Sequence, residues 1–266
     1  MVPDFGFDVA TRNRDGGFAM KLTMESVDLP TSRGAMRVYL FLPEGGGRFP
    51  AVVFYSEIFQ MTEPIRRMAA ALSGEGYLVA VPEVYHEFEP PGTVLAYDEA
   101  GSERGNALKY TKEIASTDED AAVVVSFLAS HPRSTGKVGS YGVCLGGHLA
   151  IRAALEPLVR ATGAFYPTDL HSSTLGLGKS DDTLQRLGEA GSPFLLLFGR
   201  QDPHVPEAGR RAIYDRFREL DLTFEWHEFN AAHAFLRDEG PRYNPALARV
   251  CHSLLLRFFA EHLGAG

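Results

Sequence analysis

From residue 50 onward, short continuous apolar runs alternate with segments of helical periodicity, and few architectures accept that order. Residues 50–55, 77–81, 137–141, 161–166, 194–198 and 223–229 read as strands, several with the look of strands buried on both faces. Between them, residues 63–74, 106–131, 146–155 and 207–220 carry helical patterns. A closing helix is expected over 244–263, with Leu247, Val250, Cys251, Leu254 and Phe258 facing inward. This alternation predicts an α/β fold, a mostly parallel central sheet covered by helices on both faces. Ahead of it, residues 22–27 and 36–42 flank a turn-rich stretch at 30–34 and read as a hairpin-like opening. No repeat or low-complexity tract divides the chain, and 45% hydrophobic residues suffice for one sizeable core. The expected organisation is an N-terminal arm over 1–22 and a single domain over 23–266. Two connections, 86–105 and 167–192, exceed the usual length for such loops and are either lids or decoration.

The formal charge of −8 argues against nucleic acid or an anionic membrane as partner, because both need a basic face. The N-terminus lacks the basic and apolar regions of a signal peptide, and no apolar run approaches a membrane span. The two cysteines, Cys144 and Cys251, lie far apart in a chain too large to need a disulfide staple. The expectation is a cytoplasmic protein, a monomer or small homo-oligomer, whose partner is a small molecule.

The chemistry is carried by Gly142-Val143-Cys144-Leu145-Gly146-Gly147, which directly follows one strand and opens a helix. It has the form of a nucleophile elbow with cysteine in the usual place of serine. A sharp strand-to-helix turn strains its central residue, and neighbouring side chains would collide with strand and helix; glycine relieves both. The turn lifts the Cys144 sulfur clear of the sheet edge, beside a helix N-terminus that favours a thiolate.

A nucleophile at neutral pH needs a base, and the base needs an orienting carboxylate. Downstream of the elbow, the strand over 194–198 leads into Gly199-Arg200-Gln201-Asp202-Pro203, and the strand over 223–229 into Asn230-Ala231-Ala232-His233. Asp202 and His233 therefore fall at the same sheet edge as Cys144, in the order nucleophile, acid, histidine. Asp181, Asp182 and Asp221 compete for the role of the acid; His86, His171 and His204 lie in loops that can approach a pocket. No metal-ligand spacing and no nucleotide-binding glycine pattern occurs, so no metal or cofactor is expected.

At this point the chain resembles the dienelactone hydrolase (carboxymethylenebutenolidase) family of α/β-hydrolases over roughly residues 24–263. The likeness rests on Ser56-Glu57-Ile58-Phe59, Pro82-Glu83-Val84-Tyr85, GKVGSYGVCLGG around Cys144, GRQDPHVP around Asp202 and AAHAFLR around His233. It implies an α/β-hydrolase fold and hydrolysis of an ester or lactone through a thioester acyl-enzyme. It also implies that Glu57 helps form the thiolate, that the N–H groups of Ile58 and Leu145 form the oxyanion hole, and that Arg237 and Tyr85 meet the substrate. One position departs from the family: Glu87 stands where dienelactone-cleaving members carry a second arginine. Facing the pocket, such a reversal would weigh about 4 kcal/mol at 4 Å and an effective dielectric near 20, which implies a substrate other than dienelactone. The alternatives are a non-catalytic small-molecule binding protein and a thiol redox sensor on the same fold.

Overall fold

The computed structural model describes residues 21–264. The expected arm over 1–22 falls almost wholly outside them. An antiparallel hairpin opens the described chain, β1 (Leu22–Thr31) and β2 (Gly34–Pro43). Then follow β3 (Phe49–Tyr55), α1 (Glu63–Gly74), β4 (Leu78–Pro82), α2 (Glu99–Thr111), α3 (Ile114–Ser130) and β5 (Ser134–Val143). After these come α4 (Leu145–Ala153), β6 (Val159–Phe165), the single turn α5 (Thr183–Arg186), β7 (Phe194–Gly199), α6 (Glu207–Glu219), β8 (Phe224–Phe229) and α7 (Pro245–Leu263). The strands form one eight-stranded sheet in the order β1-β2-β4-β3-β5-β6-β7-β8. From β4 to β8 in sheet order every pairing is parallel; β2 alone runs against the rest, antiparallel to both β1 and β4.

Strand periodicity divides the core between the two faces. Ala51, Val53 and Tyr55 of β3, with Phe194, Leu196 and Phe198 of β7, pack beneath α3, α4 and α6. The intervening Val52, Phe54, Leu195 and Leu197 pack against α1 and α7. This is the α/β-hydrolase arrangement, and no helix among the described residues is long and apolar enough to cross a membrane.

Two local readings differ from the sequence expectation. The stretch 106–131 is not one helix: the chain is extended at Lys112 and Glu113, where α2 ends and α3 begins. The Lys112 ammonium turns into a buried acidic niche, bonding Ser116 and pairing with Glu87 and Asp120. The Lys109 and Lys112 carbonyls, meanwhile, accept from Gly176 and Leu177. These tertiary bonds compete with helix continuation at that point. In α7 the inward face is Cys251, Leu255, Phe258, Phe259 and Leu263, whereas Val250 is 47% exposed. So many residues of this helix are apolar that periodicity alone admits two faces, one residue apart.

The elbow needs its glycines for close approach. A Cβ on Gly146 would lie 2.0 Å from the Tyr55 carbonyl oxygen, and one on Gly142 would lie 1.9 Å from that of Gly146. Only backbone fits where α4 crosses the end of β3.

Candidate active site

The predicted residues come together at the C-terminal edge of the parallel strands. Cys144 sits between β5 and α4 at φ 59° and ψ −124°, a left-handed conformation costly for a residue with a Cβ. Its N–H is held by the Phe165 carbonyl at 3.0 Å, and its own carbonyl accepts from Gly147 at 3.0 Å. Hydrogen bonds to β6 and within α4 thus fix the strained residue, and its side chain opens on a cavity of about 660 Å³. Volumes of this order suit a small organic substrate. Leu145 is the first residue of α4, where backbone N–H groups lack intrahelical acceptors. Ile58, in the loop after β3, lines the same cavity.

Asp202 and His233 leave β7 and β8 on neighbouring loops. His233 Nδ1 stands 2.6 Å from Asp202 Oδ2, and the other oxygen of Asp202 accepts the His204 N–H at 2.8 Å. Both side chains are nearly buried, and the Tyr166 and His204 rings pack edge-on against the His233 imidazole. Burial by itself lowers the pKa of His233, but Cys144 and Asp202 outweigh it and push the imidazole up to about 10. Burial likewise opposes the charge on Asp202, yet the contact with His233 holds its carboxyl below the ordinary value. Of the rival acids, Asp181 is committed to His148, 3.2 Å away within the interior.

Glu57 is 2% exposed in the loop after β3. Burial raises its carboxyl pKa, only partly offset by Arg237, whose Nη1 lies 3.9 Å away, and by a 2.8 Å bond from the Tyr97 hydroxyl. The Arg237 guanidinium rests 4.1 Å from the centre of the Tyr97 ring. Tyr97 therefore touches two predicted site residues, although no sequence signal singles it out; it lies in the long connection after β4.

Two expected substrate contacts are placed elsewhere. Glu87 does not line the cavity: it points to Lys112 and Ser116, with Arg33 at 3.6 Å, so its charge is met internally. Tyr85 is buried behind the cavity wall and donates to the Gly105 carbonyl at 3.1 Å. No sequence pattern marks Lys109 and Asp169, which face the cavity as an ion pair of 2.8 Å, or Arg242, which also lines it. His171 and His204 reach the cavity, whereas His86 bonds Asp120 at 3.0 Å. His86, Glu87 and Asp120 bring their ligand atoms within 4.8 Å of one another, the spacing of a metal site, but the Lys112 ammonium already serves Glu87 and Asp120 as their cation.

This arrangement resembles known proteins along nearly the whole chain. Residues 36–263 match the model of the dienelactone hydrolase family. A Saccharomyces cerevisiae protein provisionally named a carboxymethylenebutenolidase is 40% identical over 256 residues, covering 92% of this chain and 93% of its own. The carboxymethylenebutenolidase of Pseudomonas putida is 30% identical over 213 residues, covering 79% and 85%. Among solved structures, a Klebsiella pneumoniae protein provisionally named a dienelactone hydrolase superposes with a TM-score of 0.76 at 23% identity, covering 91% of this chain and all of its own.

Proposed function

The chain belongs to the dienelactone hydrolase family and is a hydrolase of carboxylic esters or lactones; on that premise we propose that it works through a thioester on Cys144, with His233 and Asp202 completing a triad. The observation that carries the reading is the 2.6 Å contact of His233 with Asp202 at the rim of a cavity that Cys144 also lines.

When substrate enters, the Cys144 thiol gives its proton to Glu57, whose buried carboxylate has a raised proton affinity. The thiolate attacks the carbonyl carbon, and the Ile58 and Leu145 N–H groups stabilise the oxyanion; one such donor contributes about 2.7–4 kcal/mol. Collapse breaks the ester C–O bond while the His233 imidazolium protonates the departing alkoxide. Neutral His233 next takes a proton from water, and the resulting hydroxide attacks the thioester. The released thiolate recovers the proton from Glu57, so the net consumption is one water per ester. Asp202 fixes the imidazole orientation and stabilises its charged form.

Arg237 is the candidate for gripping a substrate carboxylate, with Arg242 also on the cavity. Because Glu87 faces Lys112, the expected departure from dienelactone rests on the missing second arginine and not on repulsion by Glu87. A cytoplasmic location remains part of this proposal.

Rapid quenching of the wild-type enzyme during turnover of a nitrophenyl acetate, followed by peptide mass spectrometry, is expected to find one acetyl group on Cys144. An acetyl group on another side chain, or none during the burst, would overturn the thioester route.

The pH profile supplies a second test. The reaction needs His233 protonated, and its pKa is raised from 6.5 to about 10, so the protonated form persists well past neutrality. The alkaline limb of kcat/KM, which reports the free enzyme, is expected to lie above 6.5, because the Asp202 carboxylate favours the imidazolium even before the thiolate forms. The same upward shift adds stability that is complete below 6.5 and is lost as pH climbs through about 10. An alkaline limb at the ordinary histidine value would contradict both statements.

A further inference from the structure

The cavity contains a polar group that the hydrolytic cycle does not use. Lys109, on α2, and Asp169, in the turn after β6, form a pair of 2.8 Å with both side chains nearly buried. The Tyr110 and Thr174 hydroxyls each donate to Asp169 Oδ1 at 3.1 Å. The backbone at Asp169 is left-handed, φ 63°, an uncommon state for a residue other than glycine. Next to it, Thr168 and His171 line the cavity, and the buried Thr168 hydroxyl and His171 Nδ1 have no hydrogen-bond partner of normal geometry among the described residues. Buried polar atoms without partners are few in folded proteins, and each asks for an explanation.

The ligand that answers this group has a definable chemistry. Lys109 and Asp169 cancel each other's charge, so an anion would meet Asp169 and a cation would meet Lys109, each at a cost. A hydroxyl both donates and accepts, and so does the Thr168 hydroxyl; the ammonium keeps two N–H donors beyond the one spent on Asp169. We propose that Lys109, Asp169, Thr168 and His171 form a second recognition subsite, which takes a neutral, hydroxyl-bearing part of the substrate. The proposal rests on the hydrolase reading and deepens it: the substrate class is a hydroxylated lactone or ester, recognised apart from any carboxylate held by Arg237. Positioning comes from the core, where the buried imidazole of His148 contacts the Thr168 carbonyl at 3.0 Å and the Thr168 N–H bonds the Cys144 carbonyl at 3.3 Å. The subsite is thus tied through the backbone to the nucleophile.

The test compares γ-butyrolactone with its diol analogue erythronolactone. Wild type is expected to favour erythronolactone by about tenfold in kcat/KM, the scale of one or two net hydrogen bonds. Thr168→Val, close in shape, and the double variant Lys109→Met/Asp169→Leu, which removes the pair without leaving a lone buried charge, are each expected to bring the ratio close to one. A merely structural pair would slow both lactones alike and leave the ratio standing, which would overturn the proposal, as would a wild-type ratio of one. Calorimetry with erythronate and γ-hydroxybutyrate reads the same preference without turnover. A protein that hydrolyses neither lactone but binds erythronate more tightly keeps the subsite and loses the hydrolase reading; equal binding overturns the subsite.

Discussion

Cys144→Ala is expected to lower kcat/KM toward a short-chain aryl ester by about 10⁴-fold or more, leaving the fold intact by circular dichroism. The size follows from the way triad residues act: losing the nucleophile costs nearly as much as losing the whole machinery, and only the oxyanion hole and binding remain. The substitution is gentle to the fold. Cys144 is only partly buried, and its strained backbone is held by Phe165 and Gly147, which alanine leaves in place. Turnover that survives in the variant would remove the cysteine from the mechanism. Absence of turnover in wild type across an ester and lactone panel would instead favour a binding protein or a redox thiol on this scaffold.

Asp202→Asn is expected to reduce kcat by about 10⁴-fold, because the amide presents the wrong hydrogen-bonding partner and selects the wrong imidazole tautomer. The substitution is nearly isosteric, and the other oxygen of Asp202 can keep its bond from the His204 N–H. It also removes the contact and the charge that help push His233 upward, so the alkaline limb of activity should move toward neutrality. A variant within tenfold of wild type, with the limb unmoved, would mean that another carboxylate orients the imidazole. Asp181 is a poor substitute, committed as it is to His148 in the interior.

What the sequence revealed and what it hid divide along physical lines. The parallel strands β3, β4 and β7 announced themselves because both their faces are buried, so each is a short apolar run such as FLLLF at β7. The elbow was legible because its geometry excludes side chains at Gly142 and Gly146 and so leaves glycines in the text. Asp202 and His233 were found by topology: in a parallel sheet, the loops that follow successive strands emerge at one edge.

The first half of helix α2, residues 99–105, was not legible. Its glycines, Gly101 and Gly105, depress helix propensity, yet each marks a close approach: a Cβ on Gly105 would lie 2.6 Å from the Ile58 carbonyl oxygen. That contact sets the helix against the loop bearing Glu57, and such tertiary closeness has no local signature. The orientation of Glu87 was equally hidden, because its partner Lys112 lies 25 residues away. Tyr97, Thr168 and Asp169 belong to irregular connections, and their partners Glu57, Cys144 and Lys109 are distant in sequence, so no periodicity marks them.

The break at Lys112 and Glu113 has a practical corollary. Helix α3 belongs to the sheet, which it covers with Ala121, Val124, Val125 and Leu128, and changes there disturb the scaffold. Helix α2 ends before that obligation begins, and it contributes Ser102, Asn106 and Lys109 to the cavity without supplying nucleophile, base or acid. The part of the cavity wall that α2 supplies can therefore change without touching nucleophile, base or acid. A laboratory seeking new substrates for this scaffold has a first library at Ser102 and Asn106, bounded by the close contact at Gly105.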